Sequence, residues 1–377
     1  MAALQRQPAK GATTIATRQV HDLGQSLRLD NITRGMLDDG TLRRYIDGFS
    51  VNGLTSNATI FDHAINGGSP YDGAVREGAL QGKSSEALFF DLALEDLTRA
   101  ADLFRPIHEH TGGVDGWVSL EASPSPATDS VKTVSATAEL HARAQRPNPI
   151  IKIPGTQDGI PAIEASIFAG VPIKVTLLFS PEQYLAAAGA YMRGIERRLA
   201  AGLDPEIGSV ASLFVSRWDV AAAAKLPPGL RNRLGIAIAS RTYKVYRQVL
   251  ASPSWLRLAA AGARPRRLLW ASTGTKDPDA SDTLYVEALA APDTINTIPE
   301  KTLHAFADHG LVNGVLPVDV GDAEVIVAEC RRCGVDDTAF AARLLSEGTE
   351  SFDKSWQDLL ECIGATGAKV AHRANAG

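Results

Sequence analysis

Cysteine is scarce in this 377-residue chain. Cys330, Cys333 and Cys362 are too few to form a disulfide framework at this length, and the expected setting is a reducing, cytoplasmic compartment. No apolar run approaches the ~18 residues of a membrane-crossing helix. Basic residues are not in excess: 38 Lys and Arg stand against 43 Asp and Glu, a net charge of −5, so the footprint of a nucleic-acid binder is missing. There is no HExxH; His108-Glu-His110 reads as a helix end before Gly112-Gly113, and metal chemistry has little support. The stretch Gly78-Ala-Leu-Gln-Gly82-Lys83-Ser84 is one residue short of a phosphate loop and has Glu77 where that motif needs glycine, so it reads as a surface loop. Cys330-Arg-Arg-Cys333 is half a zinc site or a weak redox motif, and more simply a helix end stopped by Gly334. The first 21 residues hold Arg6, Lys10 and Arg18 but no acid and no apolar core, which excludes a secretory signal. The expected organisation is a disordered tail over 1–20, a single catalytic domain over 21–365 and a second disordered tail over 366–377.

What is present is alternation. Strand-length apolar runs occur at Ser26–Asp30, Val51–Ser56, Trp117–Glu121, Pro149–Pro154, Ile173–Phe179, Val210–Val215, Arg267–Ser272 and Asp293–Thr297. Helix-length stretches fall between them, notably Ala87–Phe104, Ser130–Arg146, Gln157–Ala169, Pro181–Ala200 and Trp218–Leu250, with two further helices after Val320. Strand–helix alternation predicts a parallel sheet, and eight repeats predict an α/β fold of the closed (β/α)8 TIM-barrel type with extra terminal helices. An open doubly wound sheet would carry a glycine-rich turn after its first strand. Here Asp30 is followed by Asn-Ile-Thr-Arg-Gly.

Barrel enzymes build their sites at the carboxyl ends of the strands. Those ends hold Asp30, Asn57, Glu121, Lys152, Lys174 with Thr176, Ser212 with Arg217, and Ser272 with Lys276. Lys152 lies between Ile151 and Ile153, where burying an ammonium costs several kcal/mol. It is either a structural lysine paired with a carboxylate or a neutral amine that attacks a carbonyl. Asp30, Glu121 and Thr176 on neighbouring strands favour the second reading, because imine formation and carbon–carbon cleavage both need acid–base groups. Arg217, Lys276, Ser212 and Ser272 would suit a phosphate. The alternative is ordinary surface pairing of Arg217 with Asp219 and of Lys276 with Asp277.

Several ordered motifs make a more specific signal: Gly53-Leu-Thr-Ser-Asn-Ala-Thr-Ile-Phe61, Val118-Ser-Leu-Glu121, Ile151-Lys-Ile-Pro154, Val175-Thr-Leu-Leu-Phe-Ser180, Ser212-Leu-Phe-Val-Ser-Arg217, Trp270-Ala-Ser-Thr-Gly-Thr-Lys276 and Pro292-Asp-Thr-Ile-Asn-Thr-Ile-Pro299. Together, from about residue 20 to 360, they resemble transaldolase in its longer bacterial form. The resemblance implies a Schiff-base lysine at Lys152 and transfer of a three-carbon dihydroxyacetone unit. Its donor would be sedoheptulose 7-phosphate or fructose 6-phosphate, and its acceptor glyceraldehyde 3-phosphate or erythrose 4-phosphate. The route would be the non-oxidative pentose phosphate branch, with no cofactor or metal and sugar phosphates as the only implied partners. Position by position, it makes Asp30 the acid/base at the carbon–carbon bond and gives Glu121 and Thr176 the water of imine formation. It places Asn57, Ser212 and Ser272 at the substrate, and Arg217 and Lys276 at its phosphate.

Two departures stand out. The family usually has proline after the strand-two asparagine; here it is Ala58, which would loosen the loop presenting Asn57. The family commonly has asparagine two residues before the strand-five threonine; here it is Lys174, which by strand alternation shares the face of Thr176. Its ammonium would lower the pKa of Lys152, repel it, or take over a substrate contact. Two other readings remain: a lysine aldolase that releases free dihydroxyacetone, and a non-catalytic sugar-phosphate-binding barrel.

Overall fold

Eight parallel strands pair in chain order and close on themselves, the first hydrogen-bonded to the last. They are β1 (Ser26–Asp30), β2 (Val51–Thr55), β3 (Val118–Glu121), β4 (Pro149–Pro154), β5 (Ile173–Leu178), β6 (Ser209–Phe214), β7 (Arg267–Ala271) and β8 (Thr294–Ile298). A computed structural model describes residues 15–67, 70–124 and 130–375. Strands buried on both faces are what a helix-wrapped parallel barrel requires. Residues such as Ile151, Ile153, Val175 and Leu213 turn outward into the apolar layer under the helices, while their alternate neighbours fill the interior.

The helices follow the expected alternation with one correction. The stretch 218–250 is not one helix: it divides into Ser216–Ala222, a short 3-10 turn Pro228–Leu230 and Leu234–Ala251. Pro227 and Pro228 cause the break, since proline has no N–H for a helix and restricts the residue before it. A further helix, Pro253–Ala260, starts behind the cap residue Ser252.

Of the expected amino-terminal tail, residues 1–14 lie outside the described residues, and Ala16–Asp22 is a helix. At the other end the expected pair of helices is Ala323–Arg332 and Asp337–Asn375. The second continues across most of the segment whose composition suggested a tail; residues 376–377 lie outside the described residues. It packs on the helices Ala58–Asn66, Asp72–Leu80 and Ser85–His110. Trp356 anchors it, edge-on to Phe89 at 5.1 Å between ring centroids, and Phe89 in turn meets Phe61 at 5.4 Å. Aromatic pairs of this kind contribute about 0.5–1.5 kcal/mol each beyond their buried area.

The barrel interior combines an apolar cluster, Ile150, Val210, Leu269 and Ile295, with layers of polar and charged side chains. At the amino-terminal end Arg267 donates to Asp115 at 2.8 Å and to Ser26 at 2.7 Å, and Asn52 donates to the same carboxylate at 3.1 Å. One layer up lies Arg28, with no exposure to solvent. Its stem occupies the space beside Gly53, where a Cβ would come within 2.9 Å of the arginine Cγ and 2.8 Å of the Trp117 carbonyl oxygen. Only glycine fits there. The third layer is the site.

The motifs that carried no function have plain structural explanations. The phosphate-loop look-alike is the last turn of the helix Asp72–Leu80 and the loop after it, with Ser84 capping Ser85–His110. Cys330 is buried near the end of Ala323–Arg332, its thiol pushed up to about 11, chiefly by desolvation. Gly334 follows in the left-handed conformation, at φ 82°.

Candidate active site

Lys152 is the fourth residue of β4 and points inward, 6% exposed. Its Nζ forms an ion pair with Glu121 Oε1 and donates to the Ser56 carbonyl at 3.2 Å. Glu121 ends β3 and is the register partner of Lys152. Its second oxygen accepts from the backbone N–H of Ala58 at 3.3 Å. That N–H opens the helix Ala58–Asn66, which Asn57 caps by accepting from Ile60 N at 2.9 Å. Ala58 therefore does not loosen this corner. It supplies a donor that proline lacks, and the chain from Asn57 to Glu121 is tied at two points.

Asp30 ends β1 and faces the same space. Burial raises its pKa, and the cations Lys174, Lys152 and Lys276 act against that shift. Thr176, 5% exposed, joins from β5. With Asn57, Arg217 and Lys276 these side chains line a cavity of about 450 Å³ at the carboxyl ends of the strands. The Arg217 guanidinium sits over the Phe214 ring at 5.3 Å, and burial holds its pKa below the usual arginine value. The carboxylates that the sequence offered to Arg217 and to Lys276 are engaged elsewhere. Asp219 is buried and accepts from Leu234 N at 3.0 Å and from the Tyr285 hydroxyl at 2.9 Å. Asp277 accepts from Asn232 Nδ2 at 2.6 Å. Both cations line the cavity.

A cavity of about 530 Å³ lies at the opposite end of the barrel, walled by Trp255, Leu250 and Tyr246 over the Arg267–Asp115 network. It is larger, and its charged lining, Asp115, Asp293 and Arg267, includes no lysine. Among the described residues no three His, Cys, Asp or Glu side chains gather as a metal site.

Residues 27–363 match the family described as Transaldolase/Fructose-6-phosphate aldolase. The chain belongs to the transaldolase/fructose-6-phosphate aldolase family. Its relatives include the transaldolase of Parafrankia sp., 42% identical over 349 residues that cover 90% of this chain and 95% of that protein. The transaldolase of Thermobifida fusca is 42% identical over 357 residues, 92% of this chain and 96% of the relative. That of Thiobacillus denitrificans is 42% identical over 356 residues, 92% and 99% respectively. Family and relatives together make this chain an enzyme of transaldolase type.

Within this family member the strand-end residues do not all reach the cavity. Asp30, Asn57, Glu121, Lys152, Thr176, Arg217 and Lys276 line it; Ser212, Ser272 and Lys174 do not. Ser212 is fully buried on β6, its Oγ without a hydrogen-bond partner among the described residues. Ser272 adopts φ 57° and its hydroxyl lies 2.8 Å from that of Ser216. Lys174 is 2% exposed, and its Nζ donates to Thr55 Oγ1 at 2.7 Å. Burial, then the charges of Lys152 and Arg28, push its pKa well below the ordinary lysine value.

The cavity also has walls that strand-end reasoning missed. Thr59, Ile60 and His63 come from the helix Ala58–Asn66, and Gly348, Ser351, Phe352 and Ser355 from Asp337–Asn375. Thr59 and Ser355 join the two helices by a hydroxyl hydrogen bond of 3.1 Å. The signal available in the sequence was helical spacing: 348, 351, 352 and 355 fall on one face.

Proposed function

We propose that Lys152 forms a Schiff base with the C2 carbonyl of a ketose phosphate, and that the enzyme passes the resulting dihydroxyacetone unit to an aldose phosphate. One observation carries the reading: an inward lysine amine in contact with Glu121 at the open end of the barrel, with Asp30 and Thr176 beside it and two cations in the same cavity.

The steps follow from these positions. The neutral Lys152 amine adds to C2, and water leaves with a proton delivered from Glu121, giving an iminium. Thr176 holds that water. Asp30 takes the C4 hydroxyl proton; the C3–C4 bond breaks, its electron pair moves to the iminium nitrogen, and the aldose phosphate departs. The enamine carbon then attacks the aldehyde of the acceptor, and Asp30 returns the proton to the new hydroxyl. Water hydrolyses the imine and frees Lys152. Arg217 and Lys276 bind the phosphate, Arg217 as a two-pronged donor and Lys276 as a point charge. Asn57 orients the substrate near Lys152.

The proposed donors are sedoheptulose 7-phosphate and fructose 6-phosphate and the proposed acceptors glyceraldehyde 3-phosphate and erythrose 4-phosphate, the reactants of the non-oxidative pentose phosphate branch. The scarcity of cysteine supports a cytoplasmic setting.

The test is borohydride reduction with fructose 6-phosphate, read by mass spectrometry. The expected result is a reduced dihydroxyacetone unit on Lys152 and none in Lys152→Ala. An intact protein without adduct, or with the adduct on another lysine, overturns the proposal and leaves a barrel that only binds sugar phosphate. Product formation from fructose 6-phosphate without an aldose phosphate, at the rate seen with one, would make the enzyme an aldolase.

A further inference from the structure

The barrel interior holds one more cation than its carboxylates can neutralise. Above the Arg267–Asp115 pair, Arg28 comes from β1, Lys152 from β4 and Lys174 from β5, all with 6% exposure or less. The acids facing them are Asp30 from β1 and Glu121 from β3. Lys276, at the mouth, acts on Asp30. A dry interior does not tolerate an unbalanced charge when a group can shed its proton. Burial lowers the pKa of Arg28 to about 9, but a guanidinium starts from the highest intrinsic value of the three. Lys152 has a carboxylate, Glu121, in contact with it. Lys174 is left, and its contact is a hydroxyl, Thr55 Oγ1.

The two lysines are built as a pair. Lys152 and Lys174 are register partners on adjacent strands. Both cross the barrel to the end of β2, where they donate to consecutive residues, Lys174 to Thr55 and Lys152 to Ser56. The Lys174 amine thus lies beneath the cavity, out of its lining, beside the amine that must become free.

We propose that Lys174 is a positioning residue for imine formation: a neutral amine that takes the proton Lys152 must lose and gives it back for the water that leaves. This rests on the Schiff-base reading of Lys152. In the resting state Lys152 is an ammonium and Lys174 an amine. A proton passes from Lys152 to Lys174, and the freed amine adds to C2. The carbinolamine hydroxyl then leaves as water with the proton returned from Lys174 by way of Glu121. The sum is ammonium plus ketone giving iminium plus water, with Lys174 neutral again. The lowered proton affinity of Lys174 from burial and from Lys152 and Arg28 agrees with this order.

The experiment follows the rate of borohydride-trapped adduct against pH for the wild type and for Lys174→Met, Lys174→Asn and Lys174→Arg, with folding checked by circular dichroism. Met and Asn are expected to shift the acid limb upward by about one pH unit, a loss of about tenfold on that limb that shrinks as the pH rises. Folded Arg should lack the wild-type solvent isotope effect as Met does, because a fixed cation cannot accept the proton, even where its charge moves the limb. A solvent deuterium isotope effect on trapping, present in the wild type, should fall in Met and Asn. Wild-type limbs and isotope effects in Met and Asn overturn the proposal and leave Lys174 a space-filling group. A wild-type limb together with a wild-type isotope effect in Arg overturns it in favour of simple charge repulsion. Absence of any adduct in the wild type is a different failure, that of the Schiff base itself.

Discussion

Glu121 and Lys152 are register partners on β3 and β4, and their side chains meet as an ion pair at the open end of the barrel. The pair satisfies both readings that a lysine among isoleucines allows: it is neutralised by a carboxylate, and it faces the mouth. For a nucleophile this arrangement is useful, because the group that steadies the ammonium is also placed to handle protons.

Glu121→Gln should lower the rate of imine trapping by about a hundredfold or more, within the range of a lost general acid–base group. Removing one partner of a buried pair also leaves an uncompensated charge, at a cost of about 3–5 kcal/mol. Thermal unfolding beside the trapping assay checks both. Unchanged trapping with lowered stability would confine Glu121 to a structural role.

Asp30 separates imine formation from bond cleavage. Asp30→Asn should still trap ketose on Lys152, but as the whole reduced fructose 6-phosphate and not the three-carbon fragment, while transfer falls by about two or more orders of magnitude. Mass spectrometry distinguishes the two adducts. In the wild type the base form is the carboxylate, and burial raises its pKa above the usual 3.8. The cleavage rate should therefore fail on acidification at a higher pH than an ordinary aspartate would dictate, and that limb should be missing from trapping in the Asn variant.

Ala58→Pro tests the N–H that reaches Glu121. Proline is tolerated at the first position of a helix, so the fold should stand. The variant loses the 3.3 Å bond to Glu121 Oε2. A hydrogen bond to a charged group is worth about 1.5–3 kcal/mol, so a fall of about tenfold or more in trapping is the outcome to look for. Equal rates would show that Glu121 is held sufficiently by Lys152.

Gly348→Ala probes the helix across the mouth. A Cβ there would lie 3.1 Å from Leu177 Cδ2 and 3.3 Å from Arg217 Nη1, so the guanidinium must shift. The KM for phosphorylated substrates should rise by several-fold to about tenfold, with kcat changed less and with unphosphorylated fructose unaffected. Alanine favours a helix interior over glycine by roughly 1 kcal/mol, so stability should hold or rise. A fall in kcat with KM unchanged would contradict a phosphate role for Arg217.

Strands were legible because their pattern is strong and short. Pro149–Pro154 is an apolar run broken only by Lys152, and its bounds match the structure. The long segment after β6 was misread because alanine-rich stretches on both sides outweighed Pro227-Pro228. Strand alternation also located Asp30, Glu121, Lys152 and Thr176. It could not tell how high along the barrel each side chain sits, and so it did not separate Lys174, which bonds to Thr55 below the cavity, from Lys152 above it. Ser351, Phe352 and Ser355 escaped for another reason. They come from a helix close to the end of the chain, and no local signal says which distant element crosses a barrel mouth.

That crossing helix makes the cavity a joint product of distant parts of the chain. The strands β1, β3, β4 and β5 bring Asp30, Glu121, Lys152 and Thr176, while Gly348, Ser351, Phe352 and Ser355 come from Asp337–Asn375, far beyond them in sequence. Damage to that helix would leave the strand-borne groups where they are and take away one wall around them.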